Sequence, residues 1–206
     1  IDFEQYVNDN KAYWREEENI LAGKDLLAGG TWIAFGKNQQ FAAVTNYRDP
    51  KNNNPTAPSR GAIPVNLVKN QPIDFEQYVN DNKAYWRDMN GFNLVYHNGN
   101  ETFYYSNISE EVKKLEDGIY AISNAFLDTP WPKTIAVKSK LQQEISNKNI
   151  SVDHLLQILN NHEKYPTDQL PNTGVGVEME KVLSPICIQT PIYGTRVNTV
   201  FLKDKD

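Results

Sequence analysis

The chain is poor in the features that usually give a protein away. It has a single cysteine, Cys187, which excludes an internal disulfide framework and any multi-cysteine zinc or iron–sulfur site and suits a reducing compartment. No apolar run approaches the roughly 20 residues that span a bilayer, and the first residues carry no secretory-signal pattern. A soluble, cytoplasmic protein without a membrane span is therefore expected. Lysine and arginine total 21 against 26 acids, for a net charge of -5. With no basic block among them, nothing collects counterions from a nucleic acid backbone, and nucleic acid is not expected as a partner. A phosphate-binding glycine loop is missing. The three histidines, His97, His154 and His162, do not fall at a metal-ligand spacing, so no metal site is expected. No Ser-His-Asp arrangement can be read from the spacing. The sequons at Asn100, Asn107 and Asn149 would matter only in a secreted chain.

What is present is enough for a core: 206 residues, 39% of them apolar, fit one domain over 1–206. The clearest local structure lies at Gly29 to Pro50, GGTWIAFGKNQQFAAVTNYRDP. Thr31 to Phe35 and Phe41 to Val44 are rich in β-branched and aromatic residues around a polar loop, which predicts a β-hairpin. Its second strand runs out into Asn46, Tyr47 and Arg48. A donor amide, a phenol and a guanidinium thus gather where a buried strand meets solvent.

Ile1 to Arg15, IDFEQYVNDNKAYWR, recurs without a change at Ile73 to Arg87. Structural repeats diverge and keep a regular period, so identity that stops abruptly reads as a copying event, and 1–15 is expected to stand in place of a different native start. Both copies have helical apolar spacing, and the second has the better context, with Pro72 ahead of it and Asn90-Gly91 behind. Glu16 to Gly30 reads as a polar approach loop and Ala62 to Asn70 as a short helix. Phe92 to Tyr96 and Glu101 to Ser106 predict a second hairpin around Asn98-Gly99. Gly118 to Asn124 reads as a strand, Thr134 to Ser146 and Val152 to Leu159 as helices, and Asn160 to Val177 as a long loop able to cover a site. Ser184 to Thr190 and Thr195 to Lys203 close the chain as strands. The order suits an α+β layered domain rather than a βαβ repeat.

Asn46, Asn124 and Arg196 each sit near a predicted strand end, and singly each reads as a residue satisfying its own neighbourhood. Together with Tyr47 and Arg48 they would form a donor-rich rim able to hold a carboxylate, an acyl oxygen or an oxyanion. Cys187, inside SPICIQT, reads as a buried, inert small hydrophobe. Trp32 and Trp131 read as core or rim packing, and Gly30-Thr31 as an uncut strand entry rather than a self-processing junction.

GGTWIAF, FAAVTNYRDP, SRG at Ser59 to Gly61, NGFNLV at Asn90 to Val95, ISNAFLDTPWPK and YGTRVNT occur in the order typical of the transport and Golgi organisation 2, or NRDE, family. The resemblance runs from Trp14 to Lys203. It implies a relative of the N-terminal nucleophile hydrolases, a four-layer αββα sandwich. In one branch of that superfamily an N-terminal cysteine attacks an amide while arginine, aspartate and asparagines hold substrate and oxyanion. By resemblance Asn46, Asn124 and Arg196 match the later part of that set and are the catalytic candidates. The typical start, Met-Cys and the Asn-Arg-Asp-Glu motif, is not in this sequence. Ile1 offers no thiol, so the amide-hydrolase reading requires a nucleophile outside this chain, and whether the protein is an enzyme stays open. The resemblance also implies a link to secretory-pathway organisation and to the movement of haem or a lipid-like ligand. The expected partner is therefore a small amphipathic ligand, with haem as the candidate cofactor or cargo. Arg48, Arg60 and Arg196 would meet its anionic groups, and Asn46, Tyr47, Asn93 and Asn124 would complete the ligand-binding set. A structural or interaction domain with an empty relic of the pocket is the third reading. Sequence leaves the oligomeric state open.

Overall fold

A computed structural model describes residues 14–17, 20–26, 29–69 and 73–203. Contacts divide the chain into two compact units, one built mainly from 10–118 and the short segment 123–127, the other mainly from 128–206 with 119–122.

The first unit is organised on an antiparallel sheet of seven strands in chain order: β1 (Trp14–Glu17), β2 (Ile20–Gly23), β3 (Ile33–Phe35), β4 (Phe41–Asn46), β5 (Phe92–His97), β6 (Thr102–Ser106) and β7 (Val112–Leu115). Period-two alternation sets its faces. The register brings Ala22, Ala34, Ala42 and Tyr96 into one row across four strands. On that face lie the helices α1 (Ile63–Lys69) and α2 (Phe75–Trp86), which bury Leu67, Val68, Phe75, Val79 and Trp86 against it. The three small alanines leave room for α1. Aromatics fill the space under α2, where the Phe75 ring lies 5.3 Å from Tyr96 and 5.4 Å from Phe103. Asp74 caps α2, its carboxylate accepting from the Gln77 amide at 3.0 Å.

Both predicted hairpins form, and the Asn98-Gly99 turn has Gly99 at φ 104°. Two expectations fail, and one strand of this unit is not among those expected. The polar, glycine-punctuated stretch read as an approach loop supplies β2 and half of β1, because pairing with β3 outweighs weak local propensity. Gly118 to Asn124 forms no strand, since its end is recruited to close the sheet end described below. Charged β7 was unrecognised, and its Lys113 and Lys114 are what an edge strand carries against stray pairing. Of the duplicated peptide, 1–13 lie outside the described residues. Trp14 and Arg15 open β1, whereas Trp86 of the second copy ends a helix, so surroundings rather than local sequence decide the state of that dipeptide.

In the second unit both expected helices form: α3 (Pro132–Ser146) starts two residues ahead of the expected Thr134, with proline at its first position, and α4 (Val152–Leu159) keeps the expected bounds and is capped by Ser151. A short helix α5 (Val177–Val182), not predicted, lies at the end of the long loop, where buried Glu180 accepts from the Thr173 amide at 2.7 Å. Asp128 holds a left-handed φ of 56°, secured by reciprocal 2.8 Å bonds with the Ala121 backbone. The two expected C-terminal strands reduce to an isolated bridge between Gln189 and Gly194. Pro185 has no amide to give a ladder, and the Cys187 amide bonds the Asn161 carbonyl at 2.8 Å instead. Helices beside an antiparallel sheet make this an α+β protein, as expected.

Candidate functional site

Antiparallel pairing places the start of β3, the end of β4 and the start of β5 at one end of the sheet. There Tyr47 continues past β4, its amide bonding the Gly91 carbonyl at 2.9 Å. The segment 123–127 lies across this end. Arg48 donates its backbone amide to the Asn124 carbonyl at 2.8 Å and its guanidinium to Asn124 Oδ1 at 3.2 Å. Asn124 Nδ2 in turn donates to the Asn46 carbonyl at 3.1 Å. Tyr47 packs on Phe126 with ring centroids 4.8 Å apart. Asn46 is exposed, whereas Asn93 is wholly buried on β5. Asn93 Nδ2 donates to the Ala125 carbonyl at 2.9 Å and Thr45 Oγ1 at 3.3 Å, and Oδ1 accepts from the Tyr104 hydroxyl at 2.7 Å. That hydroxyl also accepts from the Leu127 amide at 3.2 Å.

The predicted residues Asn46, Tyr47, Arg48, Asn93 and Asn124 therefore come together, although not as an open rim of donors. Asn93 is consumed inside the fold and Asn124 clamps Arg48. The arrangement can fix a guanidinium and an aromatic pair at the edge of a site, and a ligand could reach Asn93 only by breaking existing bonds.

Arg60 joins the same sheet end, donating to the Gly91 carbonyl at 3.0 Å. Burial lowers its pKa, and a guanidinium keeps its charge under such a shift. On either side of it Ser59 and Gly61 line a cavity of about 460 Å³. The wall is built from Ile20, Ala22 and Gly23 of β2, from Gly29, Gly30 and Thr31 before β3, and from Ala62, Val65, Asn66 and Lys69 at α1, with Lys24 beside them. Glycine is required where the two loops meet. A β-carbon on Gly61 would stand 2.8 Å from the α-carbon of Gly30, and the Thr31 amide bonds the Gly61 carbonyl at 2.9 Å. The Thr31 hydroxyl is turned to its own chain, donating to the Ile33 carbonyl at 2.7 Å.

Sequence reasoning missed Lys24, Val65 and Lys69. Val65 and Lys69 stand four apart in a segment read as helical, which puts them on one face, while Lys24 fell in a stretch read as loop. Arg196 lies in the other unit, exposed and just after the Gln189 to Gly194 bridge. Cys187 is buried, and His162 Nδ1 stands 3.0 Å from its backbone carbonyl oxygen. Among the described residues no group of three or more histidine, cysteine or acidic side chains could hold a metal, and no helix is long and apolar enough to cross a membrane.

Comparison with known proteins adds a consistent result. The family model described as Transport and Golgi organisation 2 matches residues 7–206. A Transport and Golgi organization 2 homolog of Mus musculus is 32% identical over 213 residues, covering 93% of this chain and 75% of that protein. The homologs of Bos taurus and Homo sapiens are 31% and 30% identical, each over 94% of this chain and 76% of its own length.

Proposed function

The chain belongs to the Transport and Golgi organisation 2 family, and on that premise we propose that it binds an amphipathic, haem-like or lipid-like ligand at this end of its sheet, in trafficking linked to secretory-pathway organisation. The cavity carries the reading. Its volume of about 460 Å³ falls in the range of small-molecule sites, and its walls combine Ile20, Ala22, Ala62 and Val65 with two lysines. An apolar body would lie against the aliphatic wall and an anionic group near Lys24 and Lys69. Two stretches singled out in the sequence, GGTW and SRG, meet on that wall.

Arg60 and Arg48, at the same sheet end, are the proposed second rank of cations, and Tyr47 with Asn46 the outer rim. In this reading residues 1–206 act as one family domain, and the seven-stranded sheet supplies one of the two sheets of a four-layer sandwich.

Titration of the full chain with haemin and, separately, with a fluorescent fatty acid tests the proposal. Saturable binding of at least one probe is expected, and Val65→Trp, which fills the cavity, should weaken it about tenfold or more. Unchanged affinity in a normally folded Val65→Trp protein would remove the cavity from the account.

A further inference from the structure

Haem is one of the ligands proposed for the cavity, and the donor chemistry of the walls bears on it directly. Proteins hold haem iron through histidine, cysteine, methionine or tyrosine. None of these lines the cavity, whose walls come from 20–31 and 59–69. Nor does any of the four occur anywhere in 16–46 or 48–77, so the adjoining turns of the sequence hold none either. The candidates on the sheet face or reach elsewhere. His97 pairs with Phe41, Phe41 with Phe35 and Phe35 with Leu21. That row alternates with the row of Ala22, Ala34, Ala42 and Tyr96, so His97 projects from the face opposite α1, and its Nδ1 stands 3.1 Å from the Thr102 hydroxyl oxygen. Tyr96 shares the face of Ala22 but lies three strands away from it, about 14 Å. Its hydroxyl accepts from Gln40 Nε2 at 3.1 Å. Tyr47 stacks its ring on Phe126, and Met89 and Tyr105 are buried with Trp86 in the core.

The polar groups that do line the cavity are of another kind. Lys24 and Lys69 end in ammonium groups, which carry three N–H donors and no lone pair for a metal. Thr31 directs its hydroxyl to the Ile33 carbonyl at 2.7 Å. No acidic residue stands among the lining residues. Donors without carboxylates suit an anionic oxygen, and Ile20, Ala22 and Val65 suit an apolar body.

We propose that the cavity recognises its ligand by apolar shape and anionic charge alone, with no bond from the protein to a metal. The ligand class is the amphipathic organic anion, whether or not it carries a metal. Haem enters as one such anion, held by its apolar rim and propionates, with its iron left to ligands from solution. This rests on the cavity being the binding site.

The test titrates haemin and metal-free protoporphyrin IX separately into the full chain, each in competition with the fluorescent fatty acid. The two porphyrins should bind with affinities within about threefold of each other, and both should displace the fatty acid. Added imidazole should shift the Soret band of bound haemin, because its iron keeps an open position. In a normally folded Val65→Trp protein both porphyrins should weaken by the same factor, about tenfold. Haemin binding about tenfold or more tighter than protoporphyrin IX, or a low-spin Soret spectrum indifferent to imidazole, would assign the iron a protein ligand. Either result overturns this inference and leaves the binding site standing. Porphyrin and fatty acid affinities all untouched by Val65→Trp would instead overturn the cavity as the site, and this inference with it.

Discussion

A carboxamide offers two donors and an acceptor with two lone pairs, and Asn93 spends them almost entirely inside the fold. It ties β5 to Thr45 on β4, to the Ala125 carbonyl and to the Tyr104 hydroxyl, with no exposure to water. Asn93→Ala would leave the Ala125 carbonyl without its amide donor and the buried Tyr104 hydroxyl without its acceptor. We expect it to cost about 2–4 kcal/mol in urea unfolding, since each orphaned buried group costs roughly 1–3 kcal/mol. A loss below about 0.5 kcal/mol would mean that water replaces the amide at no penalty. The sequence made Asn46, Asn93 and Asn124 visible as polar residues at predicted strand ends or within NGFNLV. It could not tell an open donor from a spent one, because the partners of Asn93 and Asn124 lie up to 78 positions away. Lys24 escaped notice for the same reason: its place beside Val65 and Lys69 follows from a β2 to β3 pairing that local sequence barely encodes.

At the scale of elements, what was legible had its signal close at hand. The Asn98-Gly99 turn and the helical apolar spacing behind α3 and α4 each lie within the few residues they control. What failed depended on distant partners, as with β1 and β2, or on competition for backbone groups, as with the Cys187 amide. The junction between α3 and α4 shows one such local device at work. His154 Nδ1 lies 3.0 Å from the Asn149 carbonyl oxygen and 3.0 Å from Glu144 Oε2. The hydrogen bond to the Asn149 carbonyl does most to favour the imidazolium, and Glu144 adds to it, raising the pKa above the ordinary 6.5. A group raised on folding stabilises fully below its unfolded pKa, and that contribution is lost as pH rises through the folded value. The α3 to α4 junction should therefore be tighter in mild acid than at alkaline pH. An NMR titration should find the His154 midpoint above 6.5, and Glu144→Gln should lower it. A midpoint at or below the ordinary value would contradict the geometry.

The whole molecule carries a net charge of -5, yet the residues proposed to meet a ligand's anionic groups, Lys24, Lys69, Arg48 and Arg60, are cations in the sheet-bearing unit. Opposite charge at the mouth of an apolar cavity is what an amphipathic anion requires, and it raises association rates even when the overall charge opposes approach. Composition and motif order alone reached the α+β class and the family. The cavity became visible only once β2, the Gly29 to Thr31 turn and α1 were seen to close around one volume. Amide hydrogen exchange of the full chain, with and without saturating haemin or fatty acid, tests this account most directly. It predicts slowed exchange in Gly29 to Thr31 and Ser59 to Asn66 on ligand binding. Protection confined to other segments, or none under conditions where the probe is bound, would contradict it.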